Sequence, residues 1–192
     1  SIKRVMDNRS HEKGLLGVVA DIIKVEKKYE TAIETALGGS IQNIVTDNEQ
    51  TAKRMIEFLK KNKFGRATFL PLTQIRSHGG IAQPQALNEA GVIGLADTLV
   101  MVEDKYLELA GSLLGRTLVV DHIDHGLAIA RKYRQSIRIV TLEGDLINPG
   151  GSMTGGAFKN SSNLLSRRRE IEELEQAVQK LRADVAKTEQ EI

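Results

Sequence analysis

Cysteine and tryptophan are both absent from the 192-residue sequence. Without cysteine the chain cannot contain disulfides, cysteine-ligated zinc, iron–sulfur clusters or a thiol nucleophile, and a reducing compartment is permitted. Four phenylalanines and three tyrosines are the only aromatic residues, so nucleic-acid binding would depend on backbone charge rather than base stacking. No run of about 18 apolar residues predicts a membrane span. The amino end, S-I-K-R, is neither an initiator methionine nor a signal peptide, and we expect the chain to be a fragment of a longer protein.

The overall composition is that of an ordinary globular chain. Hydrophobic residues make up 41%, and 27 basic against 25 acidic residues leave a net charge of +2. This length can form one large domain or two small ones with a core of their own. Nearly balanced charge excludes nucleic-acid binding through bulk charge, so such binding would need local basic clusters.

The carboxyl end carries a heptad pattern of apolar residues, which predicts a helix with a coiled-coil seam. The seam consists of Ile171, Leu174, Val178, Leu181, Val185 and Ile192. Residues 2–10 also have helical spacing, and we expect the two segments to be the stumps of one antiparallel coiled coil. The alternative is an amphipathic C-terminal helix packed on the globular body, because two and a half heptads are short for a coiled coil.

An internal repeat lies between these ends. V-E-K-K-Y at 25–29 returns as V-E-D-K-Y at 102–106, and L-G at 37–38 returns at 114–115. A second register, three residues shorter, relates the segments after these glycines. The repeat predicts two small α/β subdomains, joined by a glycine-containing connector at 73–95.

Each copy is predicted to run helix, strand, helix, strand, with Asp47 or Asp121 as the cap of its second helix. The predicted helices span about 28–37, 48–62, 104–114 and 122–133, and the predicted strands 41–45, 66–70, 117–120 and 137–142. Gly144 and Asp145 are predicted to form a two-residue hairpin turn after the last strand.

A glycine-rich segment follows this hairpin, N-P-G-G-S-M-T-G-G at 148–156. It is not a phosphate-binding loop of the Walker type, because the lysine that such a loop requires is missing. Glycine lets one backbone approach another closely, which suits a subunit interface where strand edges meet. Two tight surface turns without a partner are the alternative.

No catalytic or metal site is predicted. His122 and His125 have helical spacing beside two aspartates, but the sequence dictates no third ligand and the first repeat has no histidine there. No G-x-S-x-G nucleophile motif is present. We therefore expect neither an enzyme nor a cofactor in this chain.

Basic residues cluster in three places, at 53–66, at 131–138, and at Lys159 with Arg167, Arg168 and Arg169. Such clusters suit sequence-independent contacts with phosphates, and Lys60, Lys61 and Lys63 stand out in the first. For each cluster the alternative is a solvated helix face.

Three stretches of the sequence closely resemble the hinge domain of bacterial SMC (structural maintenance of chromosomes) proteins. They are K-Y-E-T-A-I-E through L-G at 28–38, F-G-R-A-T-F-L-P-L at 64–72, and V-T-L-E-G-D through N-P-G-G-S-M-T-G-G at 140–156. The resemblance covers about 14–158. It implies a two-subdomain hinge that forms a homodimer and joins two coiled-coil arms, with ATP and condensin-type subunits handled at distant head domains.

The same resemblance implies a role in chromosome condensation and segregation, a cytoplasmic, nucleoid-associated location, and no membrane partner. It implies that Gly150, Gly151, Gly155 and Gly156 lie at the dimer interface and that Lys159 contributes to weak, non-specific DNA binding. The other DNA-binding candidates come from charge clustering alone. The alternatives are a DNA-binding module that needs no dimer, and a small α/β enzyme.

The predicted fold class is α/β with two duplicated subdomains and a flanking antiparallel coiled coil. The predicted divisions are a coiled-coil stump at 1–13, subdomain I at 14–72, a connector at 73–95, subdomain II at 96–158 and a coiled-coil helix at 159–192.

Overall fold

The structure is a computed structural model that describes residues 1–157 and 164–191. Seven α-helices are found in these ranges: α1 Ile2–Met6, α2 Val19–Ile22, α3 Glu30–Leu37, α4 Glu49–Asn62, α5 Leu107–Leu114, α6 Ile123–Lys132 and α7 Leu164–Glu191. Ten strands are found there: β1 Leu15–Val18, β2 Lys24–Val25, β3 Ile44–Thr46, β4 Phe69–Pro71, β5 Val92–Leu95, β6 Val100–Met101, β7 Thr117–Val120, β8 Arg138–Thr141, β9 Leu146–Ile147 and β10 Met153–Thr154.

The two halves of the chain repeat one topology. In the first half β3 pairs antiparallel with β1 and parallel with β4. In the second half β7 pairs antiparallel with β5 and parallel with β8. Both antiparallel pairs carry a register irregularity, which ends at Gly17 in the first and at Gly94 in the second. The predicted mixed fold with duplicated subdomains is therefore confirmed.

The range predicted as connector, 73–95, ends in a strand of the second sheet. Val92 of β5 lies opposite Val120 of β7, as Leu15 of β1 lies opposite Thr46 of β3. The four residues of β5 are only partly buried and are interrupted by Gly94, so their sequence has no clear strand pattern. The second half of the repeat thus begins near Val92 rather than at 96.

The short strands β2 and β6 join the halves. They pair antiparallel, with Lys24 opposite Met101 and Val25 opposite Val100, and each comes from the same place in its half. The largest apolar cluster likewise includes residues of both halves, among them the fully buried Ile33 and Leu114. The halves therefore share a core across this central pair of strands.

Each long helix of the repeat is capped one residue later than the sequence predicts. Asn48 accepts hydrogen bonds from the backbone N–H groups of Gln50 and Thr51, and His122 accepts one from Asp124. Asp47 and Asp121, the predicted caps, were wrong by one position. Asp and Asn are both good caps, so the sequence alone did not separate Asp47 from Asn48, and His122 is a residue type that seldom caps a helix.

The aspartates fix the loop that enters each sheet instead. The N–H of Asp47 donates to Gly14 O, and the N–H of Asp121 donates to Gly91 O, each at 2.9 Å. A Cβ on Gly14 would lie 2.3 Å from Asp47 Oδ1, and a Cβ on Gly91 would lie 2.5 Å from Asp121 Oδ1. Glycine is required at both equivalent positions because the aspartate carboxylate occupies that space.

The predicted two-residue hairpin is wrong in length. Thr141 N donates to Asp145 O, and β8 pairs with β9 from Val140 opposite Leu146. Thr141 thus lies opposite Asp145, and the loop between them takes three residues, 142–144. Thr141 Oγ1 also donates to Asp145 Oδ2, and this side-chain hydrogen bond closes the wider loop.

The predicted pairing of residues 2–10 with the C-terminal helix does not occur within the described residues. Helix α1 is only five residues long, and its buried Val5 packs in a separate cluster with Leu15, Ile44, Met55 and Leu59. The heptad seam stays 45–65% exposed from Ile171 to Val185, and Ile192 lies outside the described residues. The apolar side of residues 2–10 packs instead against α4, which is nearer in sequence.

Candidate dimer and nucleic-acid interface

The glycine-rich segment forms the outer edge of the five-stranded sheet. The strand order is β10-β9-β8-β7-β5, so β10 pairs on one side only. Residues 150–157 are all exposed, and the Met153 side chain is 49% exposed although it is large and apolar. A free strand edge with an exposed apolar residue is a natural place for another strand to pair.

The outward-facing groups of this edge can be assigned from the hydrogen-bond pattern. Asn148 N donates to Ser152 O at 2.8 Å. Because hydrogen-bonded and non-bonded pairs alternate in antiparallel strands, the next residue, Met153, points its N–H and C=O away from β9. Met153 therefore offers both backbone groups, as well as its side chain, to a strand on the outside.

The structure shows that local backbone conformation and local packing require glycine at these four positions, which the sequence did not reveal. Gly150, Gly151 and Gly156 have φ values of 92°, 103° and 132°, a region that other residues rarely adopt. A Cβ on Gly155 would lie 2.6 Å from Asp145 Oδ1. Substitution of these residues would strain the single chain, so a loss of dimer in such variants would not by itself locate the interface.

The first half of the repeat leaves a comparable edge open. Strand β4 is the counterpart of β8, yet it has no strand on its outer side, where β8 is followed by β9 and β10. Its residues Phe69 to Pro71 are half-buried. Strands β1 and β5 end the two sheets on one side, and on the other side the sheets end in different strands: β10 in one half, and β4 in the other.

The lysine cluster Lys60, Lys61 and Lys63 is exposed at the end of α4. Lys63 closes the helix in the left-handed region with φ 54°, and its N–H contacts Leu59 O and Lys60 O. Among the described residues none of the three lysines forms an ion pair. The Arg4 guanidinium lies 4.6 Å from the centre of the nearby Phe64 ring, which brings a fourth cation to this end of the molecule. Arg4 was not predicted from the sequence, because only the packing of α1 on α4 brings it close to the lysine cluster.

The three predicted arginines do not form one free cationic patch. Arg167 is exposed. Arg168 forms an ion pair with Asp21, and Arg169 Nε donates to Glu30 Oε1 at 2.6 Å. Lys159 lies outside the described residues. Their roles in DNA binding remain a prediction, but two of the arginines already have acidic partners in this chain.

The junction between α3 and α7 is a carboxylate site that sequence analysis missed. Glu30 and Glu34 lie one turn apart on α3, and Leu164 N, at the start of α7, donates to Glu34 Oε1 at 3.2 Å. Burial raises the pKa of Glu34, and the neighbouring Glu30 charge adds to the rise. One oxygen of each carboxylate, Oε2, is buried without a hydrogen-bond partner. Two acids at i and i+4 on an otherwise apolar helix face were the only sequence signal.

Neither a metal-binding cluster nor a membrane-spanning helix lies among the described residues around these surfaces. Within residues 1–157 and 164–191 no group of three or more acidic or histidine side chains could hold a metal ion. His125 Nδ1 lies 2.7 Å from Asp121 Oδ1 and lowers the pKa of that carboxyl, but both groups are about half exposed. In the same ranges no helix combines the length and apolarity of a membrane span.

Comparison with known proteins gives one consistent result. Residues 12–130 match the family model described as "SMC proteins Flexible Hinge Domain". The chain is 42% identical over 194 residues to the chromosome partition protein Smc of Bacillus subtilis, and 40% identical over 151 residues to that of Methanocaldococcus jannaschii. These alignments cover 100% and 79% of this chain but only 16% and 12% of the two relatives, so the chain spans about a sixth of their length at most.

Solved structures agree with the sequence comparison. An asymmetric dimer of the Geobacillus stearothermophilus SMC hinge domain superposes with a TM-score of 0.85 at 37% identity, covering 98% of this chain and 77% of that chain. The hinge domain of the Pyrococcus furiosus SMC protein superposes with a TM-score of 0.66 at 31% identity, covering 84% and 82%.

Proposed function

Because the chain belongs to the family of SMC protein flexible hinge domains, we propose that it is the dimerisation hinge of a chromosome partition protein. In this role two copies pair through their hinges, and each hinge carries coiled-coil arms of a longer protein. Such a protein would work in the cytoplasm at the nucleoid, in chromosome condensation and segregation. ATP and condensin-type subunits would bind at distant heads, so the hinge itself needs no cofactor and catalyses nothing.

The observation that carries the proposal is the pair of open sheet edges. Strand β10 exposes the backbone groups of Met153, and β4 lacks the outer neighbour that its counterpart β8 has. We propose that β10 of each protomer pairs with β4 of the other. A two-fold axis makes both contacts at once, so the two chains close a ring and leave neither edge open. The Geobacillus relative is named as an asymmetric dimer, and this supports dimerisation as such.

Cysteine crosslinking tests this pairing, since the chain has no cysteine of its own. Met153→Cys combined with Thr68→Cys or Phe69→Cys should give a covalent dimer, because paired strands bring Cα atoms within disulfide range. Each single variant alone should give none through this contact. Crosslinks that form only within one chain, or in no double variant, would contradict the pairing.

The exposed heptad seam of α7 supports the proposed arm. Leu174 and Leu181 are 65% and 63% exposed although a single helix with such a seam needs a partner. A second helix of the longer protein would cover these residues. A self-contained small enzyme or DNA-binding module would have no need of such an uncovered apolar seam. The exposed seam therefore favours the hinge over both alternatives.

We further propose weak, sequence-independent DNA binding through Lys60, Lys61, Lys63, Lys159 and Arg167. The supporting observation is that the three lysines are exposed and have no acidic partner among the described residues. Phosphate contacts should make the logarithm of the affinity fall with log salt by about 0.9 per phosphate neutralised.

Charge reversal tests this second function. Changing Lys60, Lys61 and Lys63 to glutamate should weaken gel-shift binding to every sequence about equally and reduce the salt slope. The matched control reverses Lys180, Arg182 and Lys187, which are exposed near the far end of α7. Equal losses in both triple variants would mean that only net charge matters, and unchanged binding would return the lysines to a solvated helix face.

A further inference from the structure

A polar cleft of about 540 Å³ lies between the two halves, where α3 and α5 end. Its basic residues are Arg116 and Arg138, and three serine hydroxyls also line it: Ser40, Ser112 and Ser136. None of its described lining residues is acidic. It is distinct from the lysine cluster on α4 and from the carboxylate junction at α7.

Arg138 is the central feature of this cleft. It begins β8 and is half-buried, and its Nη1 donates to Ala36 O at 2.9 Å and to Thr117 Oγ1 at 3.0 Å. No carboxylate contacts it among the described residues, and burial lowers the pKa of its guanidinium. Charges that are partly removed from water are usually paired, so this half-buried arginine without an acidic partner among the described residues is suited to an anionic ligand.

The electrostatic balance of the cleft favours an anion. The carboxyl ends of α3 and α5 each add about half a negative charge, and Arg138 Nη1 already donates to one carbonyl in the last turn of α3, that of Ala36. The two arginines contribute two full positive charges, which exceed those partial charges. Arg116 uses Nη2 for a long 3.3 Å hydrogen bond to His78 O, so its guanidinium keeps further donors for a ligand.

We infer that this cleft binds an oxyanion of the phosphate type. Arg116 and Arg138 supply the charged N–H donors, and Ser40 and Ser112 supply hydroxyl donors around the remaining oxygens. Ser136 Oγ already donates to Tyr133 O at 2.6 Å. Arginine is suited to this task because its planar fork matches two oxygens of one phosphate. The phosphate can belong to a free phosphate compound or to a nucleic-acid backbone. The inference does not depend on the proposed dimer.

Calorimetric titration of the intact chain with inorganic pyrophosphate tests the site, with chloride added to hold ionic strength constant. Saturable binding is expected. Arg116→Gln should raise the dissociation constant at least about tenfold, since a charged hydrogen bond contributes about 1.5–3 kcal/mol. Arg182→Gln, which removes an equal charge from an exposed position on α7, should leave the constant unchanged. Arg116 is itself exposed, so its variant should fold even if Arg138→Gln does not.

A dinucleotide with one phosphodiester distinguishes the two sources. Binding of pyrophosphate alone identifies a free phosphate compound, whereas competition between the two ligands identifies a nucleic-acid backbone. The inference is overturned if neither ligand binds, or if Arg116→Gln and Arg182→Gln bind equally well.

Discussion

The buried ion pair between α3 and α7 should be the strongest single attachment of the C-terminal helix. The Glu30 side chain is 3% exposed and that of Arg169 is 23% exposed. Glu30 Oε2 already lacks a partner, so Arg169→Met would leave the whole carboxylate buried beside no cation. Removing one partner of a buried pair costs about 3–5 kcal/mol. We expect about 3 kcal/mol here, because Arg169 is partly exposed and its second contact, Glu173, is a surface pair worth little.

Urea denaturation followed by circular dichroism, at one fixed chain concentration, measures this loss. Glu30→Gln and the double variant complete a mutant cycle, and the coupling energy between the two sites should exceed about 1 kcal/mol. Arg167→Met is the matched control two residues away on the same helix, and it should change stability by less than about 0.5 kcal/mol. A loss for Arg169→Met no larger than that of the control would refute the attachment.

Three further predictions follow from the same structure. Burial raises the pKa of Glu34, so between the two pKa values the folded chain holds a proton that the unfolded chain has lost. The free energy of unfolding should therefore fall as pH rises from about 4.5 through the raised pKa. Glu34→Gln should abolish that fall, and denaturation series across this pH window measure it. Gly14→Ala should cost about 1–3 kcal/mol, since its Cβ would overlap Asp47, whereas Gly39→Ala, with open space around it, should cost far less in the same assay. Leu174→Glu should leave the thermal midpoint of this chain almost unchanged because that side chain is 65% exposed, and a drop of several degrees would show that the seam is covered.

The repeat made most of the fold predictable. Residues 25–29 and 102–106 recur because each half needs the same short strand and helical turn, and the second helices and following strands were found within a few residues. Strand β5, the first strand of the second half, was not predicted because Gly91 and Gly94 interrupt its apolar pattern and its residues are only half-buried. The structural roles of these two glycines depend on Asp121 and on the partner strand β7, which lie about thirty residues away in the sequence.

The site was less predictable for the same physical reason. The glycine-rich segment was found from sequence, but its position on an outer edge depends on how many strands the second half adds. Arg168 and Arg169 look alike in a basic run, and only contacts with Asp21 and Glu30, far away in sequence, separate them from Arg167. The pairing of residues 2–10 failed because an amphipathic pattern shows that a partner exists and does not say which one.

Sedimentation equilibrium at micromolar concentration tests the central claim, pairing through the β10 edge, most directly. The intact chain should sediment at twice its mass of 21.1 kDa. Met153→Pro removes an outward N–H without removing a hydrogen bond to β9, and should shift the chain to monomer. Leu107→Asp, a change at a similarly exposed apolar residue on α5, should remain a dimer. A monomeric parent chain, or a Met153→Pro variant that dimerises as tightly as the parent, would contradict the account.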